Sequence, residues 1–177
     1  RLIRTVDSIM NISRFQANDI AIERVPLRLD KLVANSIEKF RRSAEEKQLL
    51  MEFQNSLGEV EVLADQNYLT ESLDHLIDNA IKFTPTGTVT VELADSDGSG
   101  PRLSICDTGI GISDEFLDRM YEPYVQEDTG YDRGYEGIGL GLTLVKLYIE
   151  AHGASINVES CKGKGTRFTV QFPRGRE

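Results

Sequence analysis

The segment Cys106-Asp107-Thr108-Gly109-Ile110-Gly111-Ile112-Ser113 sets a carboxylate at the end of an alternating apolar stretch, directly before two glycines. The alternation of Leu103, Ile105 and Asp107 puts Asp107 on the core-facing side of a strand, at its last position. A carboxylate in that place needs a donor, because an unpaired buried charge is costly. An adenine amino group would serve, with the glycines letting ligand and backbone approach closely. A structural Asp that closes a glycine-rich turn is the alternative reading.

A second group of residues could hold an anion. Gly137-Ile138-Gly139-Leu140-Gly141-Leu142 opens a helix that carries Val145 and Ile149. Alternating glycines before a helix leave backbone amides free to face phosphate, with the helix N-terminus in support. The spacing is GxGxG and follows no strand of a βαβ unit, which excludes the dinucleotide-binding fingerprint, and the P-loop pattern is absent. A flexible linker is the competing explanation. Gln126–Glu136, between the two glycine segments, has no clear periodicity. It reads as a lid with Arg133 as a phosphate contact, or as an acidic surface loop.

A third group lies on one helix. His75, Asp78, Asn79 and Lys82 make a polar seam opposite the apolar residues Leu69, Leu73, Leu76, Ile77, Ala80 and Ile81. Asn79 offers a neutral oxygen to a hard cation such as Mg²⁺, and Lys82, one turn on, offers a point charge to phosphates. A solvated helix face would also explain this seam.

These groups must be positioned by the elements around them. Leu2, Val6, Ile9, Met10 and Ser13 form a coiled-coil-type seam, which suits either a helix packed on the domain body or the end of a dimerising helical hairpin. Ile20–Leu29 contains Pro26 and reads as a linker running into a short edge strand. Asp30 is the expected N-cap of a helix reaching Lys47; strands follow at Leu49–Gln54 and Val60–Ala64. Asp65 caps the polar-seam helix, which runs to Phe83. Val89, Val91 and Leu93 pair with Leu103 and Ile105 across the Asp95–Gly100 turn. Ile156 and Val158 pair with Phe168, Val170 and Phe172 across the Lys162–Gly165 turn. The fold class is α+β: a two-layer α/β sandwich with a mixed, mainly antiparallel sheet and helices on one face.

Composition sets the outer limits. The chain has 177 residues with 29 acidic and 20 basic side chains, for a net charge of −9. That excess argues against nucleic acid and against an anionic membrane surface as main partners. Two histidines and two separated cysteines leave no zinc cluster and no disulfide scaffold, and point weakly to a reducing compartment. No apolar run approaches the length of a membrane span. The chain opens without Met inside a helical pattern, so it reads as a piece of a longer protein.

Four segments, in order, resemble the boxes of sensor histidine kinases. Residues 75–85 (HLIDNAIKFTP) resemble the N box, 107–113 (DTGIGIS) the G1 box, 121–124 (YEPY) the F box with Tyr where Phe is usual, and 133–142 (RGYEGIGLGL) the G2 box. His152-Gly153 and Gly165-Thr166-Arg167-Phe168 also fit. The resemblance spans nearly the whole chain and implies the Bergerat ATP-binding fold of the GHKL superfamily.

That resemblance implies roles residue by residue. Asn79 would ligate Mg²⁺ between the phosphates of ATP, with His75 lining the site, and Lys82 and Arg133 would contact phosphates. Asn79 and Lys82 would be the catalytic pair. Asp107 would accept from the adenine amino group, and Gly109 and Gly111 would make room for the base. Gly137, Gly139, Gly141 and Leu142 would line the phosphate path, and Tyr121 and Tyr124 would anchor the lid. His75 stands where these kinases often carry Asn and where hydrolytic cousins carry a water-activating Glu, which favours kinase over ATPase.

Residues 1–19 would be the end of the second helix of a dimerisation and histidine-phosphotransfer domain, 20–29 a linker and first edge strand, and 30–177 the catalytic ATP-binding domain. The implied reaction is transfer of the γ-phosphoryl of Mg-ATP to a histidine on that dimerisation domain. The implied partners are that domain and, indirectly, a response-regulator receiver domain. The parent would be a cytoplasmic-facing homodimer, with a membrane anchor left open. Neither His75 nor His152 sits in an H box, so this stretch is expected to bind ATP without phosphorylating itself.

Overall fold

A computed structural model of the chain describes residues 2–17, 21–95, 98–127 and 138–174. Five helices and seven strands follow in this order: α1 (Leu2–Gln16), β1 (Val25–Arg28), α2 (Leu29–Glu46), β2 (Leu50–Asn55), β3 (Glu61–Ala64), α3 (Gln66–Lys82), β4 (Thr88–Asp95), β5 (Pro101–Asp107), α4 (Asp114–Leu117), α5 (Gly141–Ala151), β6 (Ser155–Cys161) and β7 (Gly165–Gln171).

The main sheet has five strands in the order β2-β4-β5-β7-β6. Only β2 runs parallel to its neighbour; the two expected hairpins and the β5–β7 pairing are antiparallel. Alternation decides the layers. Val89, Val91, Leu93, Leu103, Ile105, Phe168 and Val170 are all buried, in one core with the apolar faces of α2, α3 and α5. Glu92 and Arg167, at alternate positions on the strands, form an ion pair (3.3 Å) on the sheet's polar side. The small β1–β3 pair forms a separate antiparallel sheet, as Pro26 at an edge demands.

Two helix starts differ in kind. Asp65 caps α3 as expected, its carboxylate accepting from the amides of Asn67 and Tyr68. Asp30 does not cap α2: the cap position is Arg28, with no side-chain cap bond. Asp30 lies in the first turn and instead takes a bidentate pair from Arg28 (2.9 and 2.8 Å) and the Val60 amide (3.2 Å). The physical reason is that a nearby guanidinium fork outcompetes the helix amides for the carboxylate. Arg28 first, by its hydrogen bond, holds the Asp30 carboxyl well below the usual carboxylate range. The short helix α4 was not expected; Ser113 caps it by accepting from the Phe116 amide.

The first helix has two apolar faces. Ile12 is buried with Leu140, Leu144 and Tyr148, and Phe15 packs at 5.2 Å from the Tyr148 ring and 5.8 Å from that of Tyr68. Val6, Ile9 and Met10, from the expected seam, stay 41–48% exposed. The docking face is therefore offset from the seam.

His152 is buried and explains part of this assembly. Its Nδ1–H donates to the Tyr148 carbonyl (2.6 Å), and its Nε2 accepts from the Asp65 amide (2.9 Å). The ring thus joins the end of α5 to the cap of α3. Replacing His152 by Ala leaves a cavity and an unpaired Asp65 amide. The expected cost is roughly 2–4 kcal/mol, read from urea denaturation of the chain.

Candidate nucleotide-binding site

The site is assembled around α3. Asn79 and Lys82 are half-buried on it, as is His75, while Asp78 is exposed. The seam is thus not a uniformly solvated face: three of its four residues border neighbouring structure. The end of α3 is secured from an unexpected quarter. Lys47, just past α2, donates from Nζ to the carbonyls of Ile81 (2.6 Å) and Lys82 (3.0 Å), a cation on the negative end of the helix. Lys82 sets its Nζ 4.7 Å from the Phe83 ring centroid.

Phe83 then joins two of the sequence segments. Its amide donates to the Asn79 carbonyl (2.9 Å), and its own carbonyl accepts from Ile110 (3.1 Å) in the glycine turn after β5. A Cβ at Gly109 would stand 2.3 Å from that carbonyl, so only glycine fits. Gly111 has φ +64°, and a Cβ there would be 2.1 Å from the Cys161 carbonyl. Both glycines are therefore required by protein neighbours.

Asp107 ends β5, paired in register with Val89 on one side and Thr166 on the other. Its Oδ1 accepts from the Gly109 amide (2.8 Å). Burial pushes its pKa up, while the backbone at Gly109 and Thr166 and the Thr84 hydroxyl pull the other way. Such a carboxylate, partly desolvated and with acceptor capacity to spare, is suited to a neutral N–H donor such as an adenine amino group. Thr84 and Thr166 are supports that the strand pattern alone did not single out.

The second glycine segment meets α3 one turn earlier. A Cβ at Gly141, the first residue of α5, would lie 3.2 Å from His75 Nδ1, so the imidazole lies against the start of α5. Leu142 is half-buried against the main core. Gly139 has φ +73°, and its carbonyl accepts from the Tyr124 amide (3.0 Å). The Tyr121–Tyr124 segment is thereby tied to the glycine loop. Tyr124 itself has φ +66° and is 61% exposed. Tyr121 lies under Lys146, whose Nζ is 5.0 Å from its ring centroid, and its hydroxyl is buried with no partner. Burial first, then Glu150, pushes that phenol up to about 12.

Glu127 is a further residue that spacing did not reveal. It accepts from the Ser113 amide (3.1 Å) and from Lys162 (2.6 Å), joining α4 to the β6–β7 turn. Burial works against its charge, but Lys162 and Ser113 prevail and hold it below the usual range. Arg133 and Gly137 lie outside the described residues.

The donor set fits Mg²⁺ only in company. Asn79 gives one neutral oxygen, and no group of three or more His, Cys, Asp or Glu capable of holding a metal occurs among the described residues. Mg²⁺ keeps waters and takes phosphate oxygens readily, so a single protein oxygen suits a cation that arrives with a nucleotide.

Comparison with known proteins agrees with this geometry. Residues 64–176 match the family described as histidine kinase-, DNA gyrase B- and HSP90-like ATPase. The autoinducer 2 sensor kinase/phosphatase LuxQ of Vibrio parahaemolyticus is 35% identical over 97% of this chain and 21% of its own length. The sensor protein SrrB of Staphylococcus aureus is 33% identical over 98% of this chain and 30% of its own. The chain thus spans less than a third of either relative. Full-length ShkA, solved with AMPPNP, superposes with a TM-score of 0.86 at 28% identity, over 99% of this chain and 37% of that one. The catalytic domain of the histidine kinase ThkA shares the fold, with a TM-score of 0.74 at 23% identity over 86% of this chain and 96% of its own. With the turn after β5 bonded to the end of α3 and the glycine start of α5 set against His75, this chain belongs to the histidine kinase-, DNA gyrase B- and HSP90-like ATPase family, as an ATP-binding domain related to those of sensor histidine kinases.

Proposed function

We propose that the chain binds Mg-ATP at this site and, as part of a longer sensor kinase, presents the γ-phosphoryl group to a histidine on a helical dimerisation domain. The observation that carries this reading is the half-buried Asp107 carboxylate, joined through Gly109, Ile110 and Phe83 to the helix bearing Asn79 and Lys82. One oxygen of Asp107 is occupied by the Gly109 amide, and its remaining acceptor capacity selects an amino group over a carbonyl. At the 6-position of a purine that preference favours adenine, which carries an amino group there, over guanine, which carries a carbonyl.

Bound ATP supplies the phosphoryl group, which passes to an imidazole nitrogen as its bond to ADP breaks. The residues of this chain bind and orient. Asn79 would hold Mg²⁺ with phosphate oxygens, while Lys82 and the start of α5 would balance phosphate charge. Arg133, Gly137, Gly139, Gly141 and Leu142 would line the phosphates, His75 would border them, and Tyr121 and Tyr124 would anchor the segment over them. Support for α1 as the end of a dimerisation helix comes from Val6, Ile9 and Met10, an apolar face left exposed beside the docked one. The parent homodimer and its response regulator belong to the same reading.

Asp107→Asn tests the adenine contact with a signature that damage to the fold would not give. Burial raises the Asp107 pKa, so the charged form costs stability in the fold; removing the charge returns that cost. The variant is expected to melt no lower than the parent, yet to bind Mg-ATP about 10-fold more weakly in calorimetry, the worth of one hydrogen bond to a charged group.

Labelling separates kinase from ATPase. With γ-labelled Mg-ATP, the chain alone is expected to incorporate no stable label, since His152 is buried with both nitrogens engaged and neither histidine sits in an H box. Stable label on either histidine contradicts the proposal. Steady hydrolysis abolished by His75→Ala would favour an ATPase that couples hydrolysis to conformational change.

A further inference from the structure

A row of polar residues crosses the end of the main sheet, and the nucleotide reading uses the side chain of Asp107 alone. Asp107 on β5 pairs with Thr166 on β7, and Thr166 pairs with Ser160 on β6. The next row on the same face is apolar: Ile105, Phe168 and Val158. The three polar residues therefore share the core-facing side of the sheet. Thr166 is buried, and Ser160 and Asp107 are half-buried. Beyond Ser160, the β6–β7 turn is bonded to the glycine turn after β5, with the Gly163 amide donating to the Ile110 carbonyl (2.7 Å).

Ser160 has one proton and two lone pairs, and all three are engaged. Its hydroxyl donates to the Gly165 carbonyl (3.0 Å), which can only accept. It accepts from the Ile112 amide (2.8 Å), which can only donate. The third contact, to Thr166 Oγ1 (2.9 Å), must then carry the Thr166 proton to Ser160. That assignment matters for Asp107. Thr166 stands directly opposite Asp107, where Cβ atoms lie roughly 4.5–5.5 Å apart and a hydroxyl can reach a carboxylate. Its proton is the nearest rival to an amino group for the free acceptor capacity of Asp107. Ser160 turns that proton the other way.

We propose that Ser160 is a specificity-determining positioning residue: by holding the Thr166 proton, it keeps the Asp107 carboxylate open for the amino group of a 6-aminopurine. Ser160 touches no nucleotide in this scheme and acts through Thr166. The proposal rests on Asp107 being where the purine binds. Without the Ser160 hydroxyl, Thr166 is free to rotate and donate to Asp107. The carboxylate then meets an amino group with part of its acceptor capacity already taken. A purine with a carbonyl at that position gains nothing from an open carboxylate, so it loses nothing when the carboxylate is filled.

The test is calorimetry on the whole chain with Mg²⁺ and either ATP or inosine triphosphate, which carries a carbonyl in place of the amino group. Both share one triphosphate, so general damage to the fold cancels in the ratio of their affinities. The unmodified chain is expected to bind ATP about 10-fold more tightly than inosine triphosphate. In Ser160→Ala, ATP is expected to weaken about fivefold and inosine triphosphate by less than about twofold. Adding Thr166→Val removes the rival proton, so the double variant is expected to regain the preference for ATP. Ser160→Cys, whose thiol bonds weakly, is expected to shift the ratio in the same direction and serves if the alanine variant does not fold. An unchanged ratio, equal weakening of both nucleotides, or a double variant that stays unselective overturns the proposal. An unmodified chain that binds neither nucleotide defeats the nucleotide reading, and this proposal with it.

Discussion

The rest of the site hangs on one hydrogen bond, from the Ile110 amide to the Phe83 carbonyl (3.1 Å). It joins the end of a helix to the end of a strand that neighbour each other nowhere in sequence. Helix ends leave carbonyls without intrahelical partners, and strand ends leave amides without a ladder. Here each satisfies the other. The contact requires Gly109, since any Cβ would press on the Phe83 carbonyl at 2.3 Å. Lys47 completes the arrangement by taking the two carbonyls before Phe83. Asp107, two residues before Gly109, is thereby tied to the end of the helix that bears Asn79 and Lys82. Gly165 closes over it from β7, where a Cβ would meet the Asp107 carbonyl at 1.9 Å.

An acidic chain with a net charge of −9 is an unusual host for a polyanion. The described site resolves this by geometry more than by charge. It sets the first turn of α5 against His75 on α3, the helix that also carries Lys82. Glu127 with Lys162, and Asp30 with Arg28, are examples of carboxylates compensated at short range. Local partners and helix amides act over a few ångströms, whereas the net charge acts at distances that salt screens.

Local pattern made much of this legible. The alternation in β4, β5, β6 and β7, the Asp65 cap and the apolar face of α3 are consequences of near neighbours in the chain, and each appears where the residue pattern puts it. The box at residues 75–85 was legible for the same reason: its spacing follows the helix that carries most of it. Asp30 shows the limit of such inference. Its position before an apolar helical run suggested a cap, but Arg28 claimed its carboxylate, a competition between partners that order along the chain does not rank. Lys47 and Glu127 were missed because their partners sit on other elements, 34 or 35 residues away for Lys47 and 35 for the Glu127–Lys162 pair.

The amino-acid sequence by itself determined which residues are suited to carry chemistry: an acceptor at a strand end, an amide and a cation one turn apart on a helix, and glycines before another helix. Side-chain type and helical or strand period suffice for that. Tertiary structure decided which of them become neighbours and what restrains them. It set the glycine start of α5 against His75 and tied Tyr124 to Gly139. It also turned one face of α1 toward Leu140 and Tyr148 while leaving the face with Val6, Ile9 and Met10 exposed. The reason is that packing compares surfaces from distant segments, and only the folded chain brings those surfaces together.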